Sequence, residues 1–273
     1  MMIRADLHMH TTISDGSDSI QTIVQKCKQN GLTHIAITNH DDLDGYEEIQ
    51  YYTKSLGIQT VKSLEITTVD SETGTKAHLL GYRIQDEMPI RRLTDAMLQR
   101  RHNNALEQIK RLQNEGYDIN VEELKQRVYK IIYKQNLIQY LVDKGIADGI
   151  YGTFYQNYFA KGKLCDIRPT DIELRDAIVA IKQAGGFAVL AHPAQQNNYH
   201  LLPMLCELGL DGIEYRHPSN DENAKQKILE LSKQYNLFLT GGSDYHGTNN
   251  KKPVNVGDYL STEEAVRKIF CME

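Results

Sequence analysis

Six histidines and three carboxylates share one kind of position along this chain. His8 and His10 follow the first β-rich run as His-x-His, and residues i and i+2 of an extended segment point to the same side. Both imidazoles can therefore meet one cation. Asp15 lies a short loop further on, His40 follows the second run, and Glu65 closes the third. His78 lies in the fourth run, and His192 follows the run 187–191. Asp244 and His246 follow the run 237–240, again two residues apart. A ligand set of nitrogen and oxygen without sulfur suits Zn, Mn or Fe. Nine side chains exceed what one ion needs and suffice for two or three divalent ions if a carboxylate bridges. His34, placed in or beside a strand, and His102, on a helix, fall outside the set.

Convergence requires elements that bring distant residues together. Ile3–Leu7, His34–Thr38, Ile58–Leu64 and Ala77–Tyr82 read as strands, with helices at Ile20–Asn30 and Tyr46–Leu56 between them. Gly31 and Gly57 are the expected helix stops. From Asp171 the alternation resumes: helix 171–184, strand Phe187–Ala191, helix 199–208, strand Gly212–Tyr215, helix 221–235 and strand Leu237–Thr240. Such alternation predicts parallel strands covered by helices, with the strand ends opening onto one cavity. Residues 90–160 differ. Leu93 and Met97, then Ala105, Ile109 and Leu112, repeat at helical spacing, a second helical piece starts at Val121, and strand signal is sparse. The expected fold class is α/β: a (β/α) barrel of residues 1–85 and 165–273, with a small helical domain, 86–164, inserted.

Composition narrows the partners. The 273 residues are 40% apolar and 25% charged, which excludes disordered, collagenous and coiled-coil classes. The formal charge of −5 gives no bulk attraction to duplex nucleic acid or an anionic membrane. Three bound divalent ions would bring it to about +1, so the ions themselves would attract an anionic substrate. No window approaches the roughly 20 apolar residues of a membrane span, and residues 1–12 lack a signal-peptide core. Cys27, Cys165, Cys206 and Cys271 are scattered without CxxC spacing, in keeping with buried small hydrophobes in a reducing compartment. The expected location is the cytoplasm.

The motifs Asp6-Leu7-His8-Met9-His10, Ser14-Asp15-Gly16, Ile37-Thr38-Asn39-His40-Asp41, Leu64-Glu65-Ile66, Ala77-His78-Leu79, Leu190-Ala191-His192-Pro193 and Gly242-Ser243-Asp244-Tyr245-His246 resemble those of the PHP (polymerase and histidinol phosphatase) phosphoesterases. The resemblance covers residues 1–85 and 165–250. The helical insertion is most similar to that of phosphatases acting on nucleoside 3′,5′-bisphosphates and short RNA. The resemblance implies a distorted (β/α)7 barrel with a three-metal cluster. His8, His10, Glu65 and Asp244 would hold one ion, Glu65, His78 and His192 a second, and Asp15, His40 and His246 a third. Two departures stand out. Asn39 occupies a position usually Asp, from which weaker or altered metal binding is expected. Lys130-Ile131-Ile132-Tyr133-Lys134-Gln135-Asn136 stands where the nucleotide phosphatases carry a Gly-Arg-x-His-type motif.

The chemistry this implies is hydrolysis of a phosphomonoester by a hydroxide bridging two ions, with Glu65, Asp15 and His246 catalytic through the ions they hold. Arg100, Arg101, Arg216 and His217 are candidates for substrate phosphate. The tyrosine-rich insertion is a candidate surface for a nucleobase, although such a run more often forms core and interface. The expected partner is a small phosphorylated molecule, a nucleotide or short RNA. The rival readings are a small-molecule phosphatase of the histidinol phosphatase type, a non-catalytic metal-binding PHP module, and a metal-dependent amide hydrolase, against which Glu65 stands in place of a modifiable lysine.

Overall fold

The computed structural model describes residues 2–168 and 171–272; residues 169 and 170, inside the expected second barrel segment, and both terminal residues lie outside that description. The chain opens with β1 (Ala5–Asp6), α1 (Ile20–Gln29), β2 (His34–Ile35), α2 (Tyr46–Leu56) and β3 (Gln59–Thr60). Strands β4 (Ser63–Asp70) and β5 (Thr75–Tyr82) follow. Four helices come next: α3 (Met88–Asn114), α4 (Val121–Lys125), α5 (Lys134–Asp143) and α6 (Thr153–Tyr158). The remainder is β6 (Ile172–Glu173), α7 (Leu174–Gln183), β7 (Phe187–Leu190), α8 (Pro193–Gln196), α9 (Leu202–Glu207), β8 (Gly212–Arg216), α10 (Glu222–Tyr235), β9 (Phe238–Gly241) and α11 (Glu263–Phe270).

Local chemistry sets these limits. The Ser19 hydroxyl accepts from Thr22 N–H and starts α1, whose Ile20, Ile23, Val24 and Cys27 form the buried face. The Asp221 carboxylate caps α10 in the same way through Ala224 N–H (2.8 Å). Two expectations change at the boundaries. The run 58–64 is divided between β3 and β4, and the helix expected from 171 is preceded by the short strand β6. The stretch expected as helix 199–208 is a 3-10 turn, Tyr199–Leu201, leading into α9.

The strands are not all parallel. β1, β2 and β3 form a parallel three-stranded sheet. The second sheet has the order β6-β4-β5-β7-β8-β9, in which β4–β5 and β5–β7 are antiparallel. The cause is the connection Ser71–Gly74, which closes a hairpin and is far too short for a parallel crossover. The ladders therefore register as two sheets and not as one continuous barrel. Backbone bonds join the sheets along two seams. On one, Leu7 N–H donates to Gly241 O (3.2 Å), Asp244 N–H to His8 O (2.8 Å) and His10 N–H to Tyr245 O (2.8 Å). On the other, Asp41 N–H donates to Glu65 O (2.8 Å) and Glu65 N–H to Asn39 O (3.1 Å).

The main core packs the sheet residues Leu64, Ile66, Leu79 and Leu190 against α7 and the first turns of α3, at Ile90 and Met97. The later turns of α3, at Ala105, Ile109 and Leu112, belong to a separate cluster with Leu137, Leu141, Phe154 and Cys165. One 27-residue helix thus spans both cores. Among the described residues no helix is long and apolar enough to cross a membrane.

Candidate metal centre

The seams carry the chemistry. His8 and His10 follow β1, and His40 follows β2 beside Glu65 of β4. His78 stands on β5, two pairs along the ladder from Glu65, whose direct partner is Leu80. His192 follows β7, and Asp244 and His246 follow β9. All nine expected residues meet in one place. His8 and His10 do lie on the same side, with their Nε2 atoms 3.1 Å apart.

Glycine permits this closeness. A Cβ on Gly242 would lie 2.3 Å from His8 Cβ, and one on Gly16 would lie 2.4 Å from His10 O. His192 (φ 26°) and Asp244 (φ 50°) adopt left-handed backbone conformations at their strand ends, a strain held by the surrounding hydrogen bonds.

Four acceptor atoms converge at the centre. His8 Nε2 and His10 Nε2 each lie 3.3 Å from Glu65 Oε2 and 3.3 Å from Asp244 Oδ1. A tetrahedron of ligands about 2.0–2.1 Å from a Zn ion has edges of about 3.3–3.4 Å. The other Glu65 oxygen, Oε1, meets His78 Nδ1 (2.8 Å) and His192 Nε2 (2.9 Å). His10, Asp15, His40 and His246 form a further group, with His246 Nε2 3.3 Å from Asp15 Oδ1. Glu65 therefore faces two ligand groups with two different oxygens.

The donor set fits cations. His8 donates from Nδ1 to Glu214 Oε1 (3.0 Å), which leaves the Nε2 lone pair directed at the centre. Among the described residues, the buried nitrogens His10 Nδ1, His40 Nδ1 and His192 Nδ1 have no hydrogen-bond partner. Burial opposes charge throughout the centre. Against it, His246 and His40 hold the Asp15 carboxyl far below its ordinary range. His78 and His8 do the same for Glu65, and His8 and His246 for Asp244. The rings divide. Burial drives His40 down to about 3, whereas Asp15 and Asp244 outweigh burial and raise His246 to about 9. Glu214, Glu65 and Asp244 likewise raise His8. The carboxylates stay ionised against burial and draw His8 and His246 toward their charged form, as expected of a cluster built for cations.

Comparison with known proteins agrees with this geometry. The model of the PHP domain matches residues 6–184. The chain belongs to the PHP domain family. It is similar to a phosphoribosyl 1,2-cyclic phosphate 1,2-diphosphodiesterase of Eggerthella lenta, with 38% identity over 91% of this chain and 96% of that protein. It is also similar to a 5′-3′ exoribonuclease of Haemophilus influenzae, at 26% identity over 90% of this chain and 91% of that one. Among solved structures, a candidate metal-dependent phosphoesterase of Bifidobacterium adolescentis superimposes with a TM-score of 0.88 at 26% identity, covering 100% of this chain and 97% of that one. The protein is thus a PHP metal-dependent phosphoesterase, and its buried histidine and carboxylate clusters suit more than one metal site.

The PHP centre opens into a cavity of about 680 Å³ whose lining includes His40, Glu65, His78, His192, Asp244 and His246. The residues expected to bind substrate phosphate are distributed unevenly around it. His217 lines the cavity, with Nε2 3.2 Å from Asp244 Oδ2 and Nδ1 2.7 Å from Ser219 Oγ. Arg216 is exposed at the end of β8, donates to Leu260 O (3.1 Å) and is not part of the lining. Arg101 is engaged elsewhere: Nε and Nη2 donate to Asp41 Oδ2 (3.0 and 2.6 Å) and Nη2 also to Thr67 Oγ1 (2.9 Å). Arg100 lies beside it on α3, outside the lining of the metal cavity.

Glu214 was not anticipated. Besides holding His8, its Oε2 accepts from His192 N–H (2.8 Å), so one carboxylate positions residues from two strand ends. Its only signal is a lone acid in the run Gly212-Ile213-Glu214-Tyr215. Asn39 stands beside the site. Its Oδ1 accepts from Thr11 N–H (2.9 Å), Thr11 Oγ1 (3.0 Å) and Ser14 Oγ (3.1 Å). It fastens the loop that carries Asp15, a task for which an amide oxygen serves.

Proposed function

We propose that this phosphoesterase hydrolyses a phosphoester on a small phosphorylated ribose compound, nucleotides included, with two or three divalent ions of Mn, Fe or Zn. The observation that carries the reading is the convergence of His8 Nε2, His10 Nε2, Glu65 Oε2 and Asp244 Oδ1 at 3.1–3.3 Å, beside a second group around Glu65 Oε1. The 38% identity to the E. lenta enzyme favours a phosphoribosyl substrate. The likeness to the H. influenzae exoribonuclease favours a second reading, removal of nucleotide from short RNA or a phosphomonoester from a nucleoside 3′,5′-bisphosphate.

His8, His10, Glu65 and Asp244 would hold one ion, His78 and His192 with Glu65 a second, and Asp15, His40 and His246 a third. Bound divalent ions activate water and neutralise phosphoryl charge. The chain's own task is positional. Glu214 fixes the His8 tautomer, and His217 orients Asp244. Glu65, Asp15 and His246 are the residues on which turnover depends most. We read the two sheets and their seams as the wall of a distorted (β/α)7 barrel of 1–85 and 165–273, with 86–164 as a capping helical domain.

Turnover of phosphoribosyl cyclic phosphate, a nucleoside 3′,5′-bisphosphate, p-nitrophenyl phosphate and histidinol phosphate by the manganese-loaded protein tests the reading. Higher kcat/KM on the two ribose compounds is the expected result. Preference for histidinol phosphate contradicts the substrate class, and no turnover of any of the four contradicts the reading as a whole.

A further inference from the structure

The helical insertion grips the metal centre from outside. Between α4 and α5 the chain runs through Lys130 and Tyr133, and α5 carries Asn136 in its first turn. Tyr133 is fully buried, and its hydroxyl donates to His40 O (2.8 Å). Arg101 on α3 lies over that ring, 5.5 Å from its centroid, and pairs with Asp41. Lys130 pairs with Asp44. The Asn136 amide joins two elements: Oδ1 accepts from Tyr133 N–H (2.8 Å), which turns Nδ2 toward Ser14 O (3.4 Å). These contacts fall on residues 40–44 and on Ser14, the neighbour of Asp15. His40 and Asp15 belong to one ligand group, with His10 and His246.

A histidine ligand is normally aimed by a hydrogen bond at its second ring nitrogen. His8 has such a partner in Glu214, and His246 Nδ1 lies 2.9 Å from Asp244 O. Among the described residues His40 Nδ1 has none. Its ring is therefore aimed through its backbone. The seam to Glu65 holds one edge of that backbone, through Asp41 N–H and Asn39 O, and Tyr133 holds the carbonyl of His40 itself. Burial outweighs the pull of Arg101 and keeps the Tyr133 phenol protonated, so its oxygen donates. A loop fixed before an ion arrives loses less conformational freedom on binding it. By linkage, an ion that fixes the loop also fixes the segment that grips it.

We propose that Tyr133 and Asn136 are positioning residues for the ion of Asp15, His40 and His246. They brace, from the helical insertion, the two loops that carry its ligands, so that docking of the insertion and filling of that site favour each other. The proposal rests on the division of ligands given above and adds to it a task for the insertion other than touching substrate.

Manganese titration of the chelated full chain, with free ion followed by electron paramagnetic resonance, tests this without turnover. Tyr133→Phe removes one oxygen and keeps the ring over Arg101. It should weaken one bound ion by about three- to tenfold, the worth of one hydrogen bond, and leave the others unchanged. Asn136→Ala should weaken the same ion. Tyr117→Phe serves as the structural control, because it breaks a hydrogen bond inside the insertion, to Tyr158 (2.7 Å), away from the metal loops. It should leave every ion as tightly bound as before. Amide hydrogen exchange reads the reverse coupling: manganese should slow exchange across residues 127–136 in the unaltered protein, and less so in Tyr133→Phe. Unchanged affinities in both Tyr133→Phe and Asn136→Ala, or an equal weakening by Tyr117→Phe, overturn the brace and leave the metal reading standing. A chain that binds no manganese overturns both.

Discussion

At the residue scale the centre depends on carboxylates that each serve two masters. Glu65 divides its oxygens between two ligand groups, and Glu214 holds the His8 ring and the His192 backbone. Glu214→Gln keeps the volume and removes the charge that sets the His8 tautomer. Metal affinity, measured by competition with a chelating dye, should fall by about 10–100-fold; an unchanged affinity would show that His8 needs no such partner. Protons and ions compete for the same rings. In chelated protein His246 titrates at about 9, against about 6.5 in an unfolded chain. Its contribution to stability is complete below about 6.5 and is lost as pH rises through 9. Chelated protein should therefore melt progressively lower between pH 6.5 and 9.5, and the gap to the metal-loaded protein should widen; a constant gap across that range contradicts the assignment. The nine ligand-type residues were legible because histidine and carboxylate recur at strand ends. Glu214 was not, because one acid inside an apolar strand carries no spacing.

At the element scale, strand ends and one long helix do the positioning. Residue types at the turn could have revealed the hairpin β4–β5: Ser71-Glu72-Thr73-Gly74 joins two strands with a positive φ at Gly74. Alternation of strand and helix elsewhere overrode that local signal. The long α3 was legible only in two pieces, since its apolar face changes partner from the main core to the second cluster near Arg100 and Arg101. At that change of partner Arg101 clasps Asp41, the residue after His40, and Tyr133 donates to His40 O (2.8 Å). Arg101→Met would leave the fully buried Asp41 carboxylate without its cation, and a loss of about 3–5 kcal/mol is expected by urea denaturation. A loss below about 1 kcal/mol would mean that the clasp is dispensable. Gly242→Ala forces β9 away from His8, and should cost about 1–3 kcal/mol together with metal affinity. Retained affinity at unchanged stability would show that the seam tolerates a wider gap.

At the scale of the whole molecule, two sheets meet along two short seams, and both seams end in residues of the histidine and carboxylate cluster. The fold gathers nine residues separated by up to 238 positions, from His8 to His246, in a space that could not be closed by local structure alone. The helical segment adds a second cavity of about 360 Å³ beside the first, and Gln135 lines both. Metal content and hydrolysis measured together on the same preparation test the central claim most directly. Elemental analysis should find two or three divalent ions per chain, p-nitrophenyl phosphate hydrolysis should vanish when a strong chelator removes them, and both should return on adding manganese. Full hydrolysis by protein stripped of metal, or fewer than one ion bound per chain after reconstitution, would contradict the account.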